Sequence, residues 1–342
     1  MSCVAVIPAR RAEQTIAATL ESLRVGNGGF VDRVLVVTSA DDPTARVVRA
    51  WGARDARVEL VLAHAPRSAG AARNEGRAAA GRGCGAAEVP RGAGCAAAAA
   101  PNGEYAAAAA PGGPGLRRAP AALLLFIDAD CRLEPGGAAR LAGELTRRGA
   151  AAISARVLGG GGAVARSRHI LEFKEAASLR PPPPGWLPPS TTMMCRAPAF
   201  DRAGGFPDLW PGEDLVFAQA LRDLGERVLR SEDVVTTHRH PPGVAAMLRH
   251  QHRLGLTAAV ARRARPMPGS VFTSSPWLAA LLLPGRIARI AAWQAREGSA
   301  ALAWTVLLSP LLLAGLVMWT AGFLAGTKPR AGETALREAS AA

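Results

Sequence analysis

The sequence predicts an α/β protein with a Rossmann-like, mostly parallel sheet flanked by helices, followed by a C-terminal membrane helix region. Short apolar runs alternate with segments of helical periodicity over the first 80 residues and again after residue 122. Such alternation is typical of right-handed βαβ units and a parallel sheet. The chain has 342 residues, 49% of them hydrophobic, so it can bury a sizeable core and an entirely disordered chain is excluded.

The first 80 residues supply three strand–helix pairs. From their length and β-branched content, we predict buried strands at 4–7, 34–37 and 58–62. From apolar residues at helical spacing, we predict helices at 12–23, around 47–51 and at 70–80. No secretory signal is expected, because the first apolar run is short and no charged segment precedes it.

Residues 81–122 interrupt this pattern with two five-alanine runs and several Gly-Pro clusters. A segment so poor in large apolar side chains cannot offset its ordering entropy, so we expect a mobile, disordered insertion. The sheet is then predicted to resume, with strands at 123–127 and 151–157 and a final strand pair at 227–229 and 234–235. A stiff proline loop is expected at 180–185 and a helix at 214–224.

The C-terminal part predicts an association with a membrane. Residues 299–326 carry no charge, and about 20 apolar residues span a bilayer core, so we predict one transmembrane helix with Pro310 as a kink. Residues 256–298 are predicted to be a basic linker that contains an interfacial or re-entrant apolar segment. The remaining domains are then 1–255, the catalytic candidate, and a tail at 327–342.

Charge and cysteine content limit the partners and the compartment. Lys and Arg outnumber Asp and Glu by 41 to 27, although a coding bias towards alanine, arginine and glycine explains this better than any specific partner does. Only 5% of the residues are aromatic, so no nucleic-acid partner is expected, and an anionic phospholipid surface fits the charge better. Five irregularly spaced cysteines without a Cys-x-x-Cys pair indicate reduced thiols rather than disulfides or zinc. We therefore expect the protein to be located at the cell membrane, with residues 1–255 on its cytoplasmic face.

The strongest chemical signal is Asp128-Ala129-Asp130, directly after the apolar run 123–127. Side chains two residues apart on a strand point the same way, and the carboxyl edge of a parallel sheet is where such folds bind ligands. Two carboxylates with open positions suit Mg²⁺ or Mn²⁺ shared with a diphosphate. The alternative, two solvated carboxylates that cap the next helix, is weakened by the buried strand before them.

A second group of residues surrounds the helix predicted at 214–224. Glu213 and Asp214 open this helix after a Gly-Gly-Phe-Pro segment at 204–207. Favourable helix capping explains an acidic pair as well as chemistry does, but Asp214 is also placed to project into the crevice as a general base. His238 ends a predicted strand and is a candidate third contact to the metal or diphosphate, whereas His240 is expected to face water. A His-x-His zinc site lacks a third ligand.

In this order, the motifs resemble those of family 2 glycosyltransferases with the GT-A fold. The resemblance covers residues 2–255 apart from the alanine-rich insertion. The segments that carry it are 4–10, Asp41-Asp42, 68–76, Asp128-Ala129-Asp130, 204–206 and 212–214. All of them together are more specific than any one alone.

The resemblance implies a role for each matching residue. Asp128 and Asp130 would hold the divalent ion and the ribose-diphosphate of a nucleotide-diphosphate sugar, and His238 would approach the same group. Asp214 would be the catalytic base, with Glu213 beside it. The implied nucleotide contacts are Pro8, Ala9, Arg10, Arg73 and Asn74. The family usually has an aspartate at the end of the second strand, but this chain has Thr38-Ser39 there. Asp42 follows a few residues later and either contacts the nucleotide base or only caps a helix, so the identity of the base stays open.

The predicted activity is therefore a metal-dependent, inverting transfer of one sugar to an acceptor hydroxyl. A single addition is expected, because residues 249–255 lack the Trp and the spacing of the Gln-x-x-Arg-Trp element of processive synthases. For that segment, a solvated basic helix face is favoured at least as much as a role in binding an acceptor phosphate. A lipid or lipid-linked acceptor is predicted from the membrane segment alone. The alternatives are a sugar-phosphate nucleotidyltransferase, which lacks its glycine-rich loop here, and a non-catalytic membrane-tethered scaffold, which the intact aspartates disfavour.

Overall fold

The computed structural model describes residues 2–63, 68–81 and 121–328, and nearly all of the predicted insertion and tail lie outside these residues. The strands are β1 (Cys3–Pro8), β2 (Arg33–Ser39), β3 (Val58–Ala63), β4 (Leu123–Ile127), β5 (Cys131–Leu133), β6 (Ala152–Gly159), β7 (Thr192–Arg196) and β8 (Val228–His238). The helices of the first part are α1 (Ile16–Asn27), α2 (Thr44–Gly52), α3 (Ala69–Ala80), α4 (Gly137–Arg147), α5 (Ala163–Ala177), α6 (Ala197–Arg202) and α7 (Glu213–Asp223). The C-terminal helices are α8 (Val244–Ala264), α9 (Pro276–Ala280), α10 (Leu282–Glu297), α11 (Ser299–Leu307) and α12 (Ser309–Gly326), with a 3₁₀ turn at Ser270–Thr273.

All eight strands form one sheet in the order β3-β2-β1-β4-β7-β6-β8-β5. The first four strands in this order run parallel, as predicted. β7 runs antiparallel to both of its neighbours, and β5 runs antiparallel to β8. The predicted α/β fold is therefore confirmed, with an antiparallel part that the alternation of strands and helices did not indicate.

The core lies on both faces of the sheet, and the period of two along β1 explains why. Ala5 and Ile7 pack in one cluster with residues of α1 and α4. Val4 and Val6 point the other way and pack with residues of α3 and α7. A strand buried on both faces is an unbroken apolar run, which is how the sequence predicts it.

β8 corrects the predicted strand pair at 227–229 and 234–235, because it is one strand from Val228 to His238. Its pairing with β6 shifts between Ser154 and Arg156, and the extra residues of β8 form a bulge there. The hydroxyl oxygen of Ser231 accepts hydrogen bonds from the backbone N–H groups of Asp233 and Val234, which fixes the bulge. Beyond it, β8 reaches β5 and carries His238 to the end of the sheet.

The predicted boundary after residue 255 falls inside α8, so residues 256–264 complete a helix and are not part of a linker. The helix continues because its small residues pack against α12. A Cβ atom on Gly255 would lie 1.9 Å from the carbonyl oxygen of Trp319, and one on Gly322 would lie 1.9 Å from that of His252. Only glycine allows the two backbones to approach this closely.

The predicted single helix at 299–326 is two helices, α11 and α12, which separate at Leu308. Pro310 lies in the first turn of α12, where its missing N–H costs no hydrogen bond, so it starts a helix and does not kink one. In the described part of the chain, α12 is the one helix long and apolar enough to cross a membrane. Because 44% of its apolar window is buried inside the protein, and core helices of soluble proteins pass the same test, it is weak evidence for membrane association.

Candidate active site

The carboxyl ends of β1, β2, β4 and β8 open into a cleft of about 830 Å³. Parallel strands bring their ends to one edge of the sheet, which is the usual ligand position in open α/β folds. The predicted site residues that line this cleft are Pro8, Ala9, Arg10, Arg73, Asp128, Asp130, Glu213, Asp214 and His238. Residues far apart in the sequence therefore meet in one place.

Asp130 and His238 form a pair just beyond the carboxyl end of β4. Cys131 pairs with His238 in the antiparallel β5–β8 ladder, so His238 lies beside the residue that precedes Cys131. The Nε2 atom of His238 is 3.3 Å from an Oδ atom of Asp130. Burial alone would raise the pKa of Asp130 and lower that of His238, but their mutual attraction and hydrogen bond, together with neighbouring charged groups, outweigh burial. The pKa of Asp130 is therefore lowered and that of His238 is raised.

Arg73 joins the two acidic motifs. Its side chain is only 2% exposed, and its two terminal nitrogens lie 2.6 Å from Asp128 and 2.6 Å from Glu213. Burial opposes the charge of Arg73, but these two carboxylates raise its pKa above the usual value, so it stays charged. The guanidinium also lies over the ring of Phe206, 5.0 Å from its centroid.

Helix α3 reaches this position because of its glycines. A Cβ atom on Gly76 would lie 2.3 Å from a side-chain carbon of Val6, so the helix packs directly on β1. At the other end of α3, a Cβ atom on Gly70 would lie 2.3 Å from the carbonyl oxygen of Pro207. The small residues thus bring Arg73 beneath the floor of the cleft.

Burial sets the protonation behaviour of the carboxyl groups around Arg73. It raises the pKa of Asp128 to about 6, against the opposing effect of Arg73 and with a further increase from Asp130. Burial also raises the pKa values of Glu213 and Asp214, which adjoin each other. A carboxyl group whose pKa is raised towards neutrality is a better proton acceptor than an ordinary one.

The two acidic residues at the start of α7 have different surroundings. Gly212 has a positive φ of 102°, and this turn directs both residues inwards. Glu213 is buried against Arg73. Asp214 is partly exposed to the cleft and accepts hydrogen bonds from the N–H groups of Leu215 at 2.8 Å and Ser190 at 3.4 Å. Asp214 therefore satisfies part of the helix start and still faces the cleft.

Asn74 and Asp42 do not line the cleft. The Asn74 amide donates to the carbonyl oxygen of Phe206 at 2.7 Å and accepts from its N–H at 2.9 Å. This two-bond contact holds the segment after α6, so the placement does not support the predicted nucleotide contact of Asn74. The carboxylate of Asp42 accepts hydrogen bonds from the N–H groups of Arg11 and Thr44. Asp42 thus caps α2 and fixes the loop after β1, which was one of its two predicted roles.

Asp130 and His238 are the residues best suited to a divalent cation. Ligand atoms of Asp130, Cys131 and His238 lie within 4.8 Å of one another. The second ring nitrogen of His238 is buried without a hydrogen-bond partner, and one carboxylate oxygen of Asp128 remains after its contact with Arg73. This oxygen and imidazole donor set fits Mg²⁺ or Mn²⁺. Burial raises the pKa of Cys131 well above its usual value, so its protonated thiol is a poor ligand.

Sequence reasoning assigned no cleft position to the residues of the opposite side, although it left an acceptor-phosphate role open for the segment 249–255. They come from α5, from the loop before α7 and from α8, and include Arg168, Glu172, Phe173, Trp210, Arg249, His250 and Arg253. The spacing of cleft-lining positions along α8 is the sequence signal that was available for them. His240, predicted to face water, is instead buried, because its ring packs against His169 and His238.

No protein-family model matches the chain. No curated protein matches it either. Among solved structures, the mannosyltransferase PcManGT from Pyrobaculum calidifontis, in complex with GDP-Man and Mn²⁺, aligns with a TM-score of 0.55 at 17% identity. The alignment covers 94% of this chain and 86% of that one.

Two structures of TarS from S. aureus align less well. The first gives a TM-score of 0.45 at 15% identity over 74% of this chain, which spans only 40% of the length of that chain. Residues 1–349 of TarS with UDP-GlcNAc give 0.47 at 14% identity, over 95% of this chain and 91% of that one. The fold assignment rests on PcManGT, and the chain has the GT-A fold that the motifs predicted.

Proposed function

We propose that the protein is an inverting glycosyltransferase that moves one sugar from a nucleotide-diphosphate sugar to an acceptor hydroxyl. The observation that carries this proposal is the meeting of Asp128, Asp130, His238 and Asp214 at one cleft. The GT-A fold shared with a mannosyltransferase in complex with GDP-Man and Mn²⁺ supports it. The further assignment to family 2 rests on the order of the motifs.

The nucleotide would occupy the side of the cleft formed by the ends of β1 and β2. Pro8, Ala9 and Arg10 line this side, together with Thr38 and Ser39. The hydroxyl of Thr38 is buried without a partner, which leaves it available to a nucleobase.

Asp130 and His238, with Asp128, would hold Mg²⁺ or Mn²⁺ beside the diphosphate. When bound, the cation supplies positive charge that stabilises the nucleoside diphosphate as a leaving group. Arg73 does not replace this charge, because its two terminal nitrogens are already directed at Asp128 and Glu213. Its role is to hold these two carboxylates in place.

Asp214 would act as the general base. As the acceptor oxygen bonds to the anomeric carbon, its proton passes to the Asp214 carboxylate, and the bond from that carbon to the diphosphate oxygen breaks. Attack opposite the leaving group inverts the anomeric centre. The raised pKa of Asp214 suits a base that works near neutral pH. Glu213, which contacts Arg73 and not the cleft centre, would position its neighbour.

The test is the Asp214→Asn variant, which keeps the shape of the side chain and removes the base. We expect nucleotide-sugar binding to be retained and transfer to fall by about 10²–10⁴-fold. Transfer close to that of the wild type would overturn the role of Asp214. Pyrophosphate release from a nucleoside triphosphate would indicate a nucleotidyltransferase, and the absence of any donor turnover with Mn²⁺ in the wild type would indicate a scaffold.

We also propose that the enzyme works at the cytoplasmic face of the cell membrane on a lipid or lipid-linked acceptor. Exposed apolar side chains on the C-terminal helices support the membrane part of this proposal. They include Val271, Trp277, Leu281, Trp304, Val306 and Leu307. Such a surface is unusual on a soluble monomer, and arginines interspersed with it suit anionic headgroups.

A further inference from the structure

The side of the cleft opposite the nucleotide is lined by a basic face of α8. This helix contributes Ala246, Arg249, His250, Arg253 and Leu254 to the cleft. Their spacing of three and four residues places all five on one face of the helix. This face lines the cleft, with Arg249 exposed and the other four residues partly buried.

Most of the positive charge on this side has no negative partner. The one carboxylate there, Glu172, already interacts with Arg168 at 2.9 Å, Gln251 at 2.7 Å and His250 at 3.5 Å. Within the described part of the chain, the guanidinium of Arg249 has no hydrogen-bond or ion-pair partner. The same holds for Arg239, which follows β8 and lines the same cleft. Unpaired cations that line a cleft favour an anionic ligand.

Trp210 connects this basic face to the proposed base. Its ring contacts the guanidinium of Arg253, 5.0 Å from the ring centroid, and the His250 ring at 5.9 Å. Trp210 also precedes Asp214 by four residues in the loop that opens α7. An acceptor whose hydroxyl reaches Asp214 would therefore extend past Trp210 towards Arg249 and Arg253.

We propose that the acceptor carries a phosphate group, and that Arg249 and Arg253 bind it with support from Arg239. This inference rests on the proposed glycosyl transfer, because it concerns the second substrate of that reaction. Guanidinium groups one helical turn apart suit the several oxygens of a phosphate, which accepts paired hydrogen bonds from arginine. The diphosphate of the donor is assigned to the Asp128, Asp130 and His238 side, so the basic face is left for the acceptor.

The source of the phosphate is either a phosphorylated lipid or a soluble phosphorylated molecule. The far side of α8 packs against the apolar helix α12 through Gly255. A phosphate attached to an apolar chain would thus place its charged and apolar parts on neighbouring surfaces. Probes of each kind distinguish the two sources.

The experiment measures binding to the purified full chain in the presence of Mg²⁺ with saturating UDP or GDP, which occupies the donor side. The probes are inorganic phosphate, dodecyl phosphate, dodecanoate and neutral dodecyl maltoside, all below their micellar concentrations. We compare the wild type, Arg249→Gln, the Arg249→Gln/Arg253→Gln double variant and Arg147→Gln. Arg147 is an exposed arginine of α4 outside the cleft and is the matched control.

We expect the wild type and Arg147→Gln to bind dodecyl phosphate, and Arg249→Gln to bind it about 10- to 100-fold more weakly, as for the loss of a charge-assisted hydrogen bond. Tighter binding of dodecyl phosphate than of inorganic phosphate identifies a lipid source, and equal binding identifies a soluble one. Three results would overturn the proposal. They are equal binding of dodecyl phosphate by all variants, binding of dodecanoate as tight as that of dodecyl phosphate, and a loss of UDP and GDP affinity in Arg249→Gln. Donor turnover is measured separately, so a failure of glycosyl transfer is recognised independently of phosphate binding.

Discussion

Arg73 shows how one side chain determines the arrangement of the cleft. It is the buried cation that lies between the end of β4 and the start of α7, at 2.6 Å from a carboxylate of each. A buried charge is tolerated only when its partners are in place, and the same is true of each partner. The carboxylates of Asp128 and Glu213 therefore depend on Arg73 for their position as well as for their charge balance.

The first consequence is a large effect of Arg73 on stability. We expect Arg73→Met to lower the free energy of unfolding by about 3–5 kcal/mol, because it leaves the buried Glu213 and the partly buried Asp128 without their cation. Denaturant unfolding at neutral pH measures this change. Arg77→Met is the matched control on the same helix, since Arg77 pairs with Asp201 at the surface and such pairs contribute about 0–1 kcal/mol. Equal losses in the two variants would contradict the bridging role.

Residues also mark how far sequence reasoning extends into the site. Period-two and strand-end arguments predict that Asp128 and Asp130 face a cleft, and the structure brings them there with His238. The use of Asn74 as a clamp on Phe206 was not predictable, because it depends on a partner 132 residues away. A motif indicates which residues meet, but the hydrogen bonds each one makes are fixed by tertiary pairing.

At the scale of elements, most of the strands that sequence patterns predict are buried on both faces; β3, predicted at 58–62, is partly exposed. β1, β2 and β4 are unbroken apolar runs and were predicted within a few residues. β5 has only three residues and β7 ends at Arg196 without alternation, so neither has a recognisable period. β8 contains polar bulge residues that divide its apolar pattern in two, and it is nevertheless the strand that positions His238.

The α8–α12 crossing is the most extensive contact between helices in the described part of the chain. We expect Gly322→Ala to destabilise the protein by about 1–3 kcal/mol or more, because a methyl group there would lie 1.9 Å from the carbonyl oxygen of His252 and would force the helices apart. Thermal unfolding of the purified chain measures the change. Gly143→Ala in α4 is the control, because nothing lies within 4 Å of the added carbon and alanine favours a helix by about 0.5–1 kcal/mol. A neutral Gly322→Ala variant would show that the helices are not closely packed.

At the scale of the whole molecule, the C-terminal helices combine two properties that a freely spanning helix would not share. α12 is apolar enough for a membrane, yet part of it is buried against α5 and α8. Meanwhile α9 and α11 expose large apolar side chains to solvent. A protein that lies on the membrane surface through these helices, with α12 packed against its own domain, accounts for both properties.

Membrane binding through this surface is tested by removing its most exposed aromatic residue. Trp277 is 85% exposed, so Trp277→Ser should leave the fold intact. We expect this variant to bind anionic phospholipid vesicles about tenfold more weakly in a flotation assay, because burying one large apolar side chain contributes about 1.5–3 kcal/mol. Val25→Ser is the control, because Val25 is 68% exposed on α1 and lies far from the C-terminal helices in the sequence. If both variants float as the wild type does, the apolar surface is not the membrane contact, and α12 becomes the segment to test. If Trp277→Ser alone is released, the cleft of this protein operates at a lipid surface without requiring a helix that crosses it.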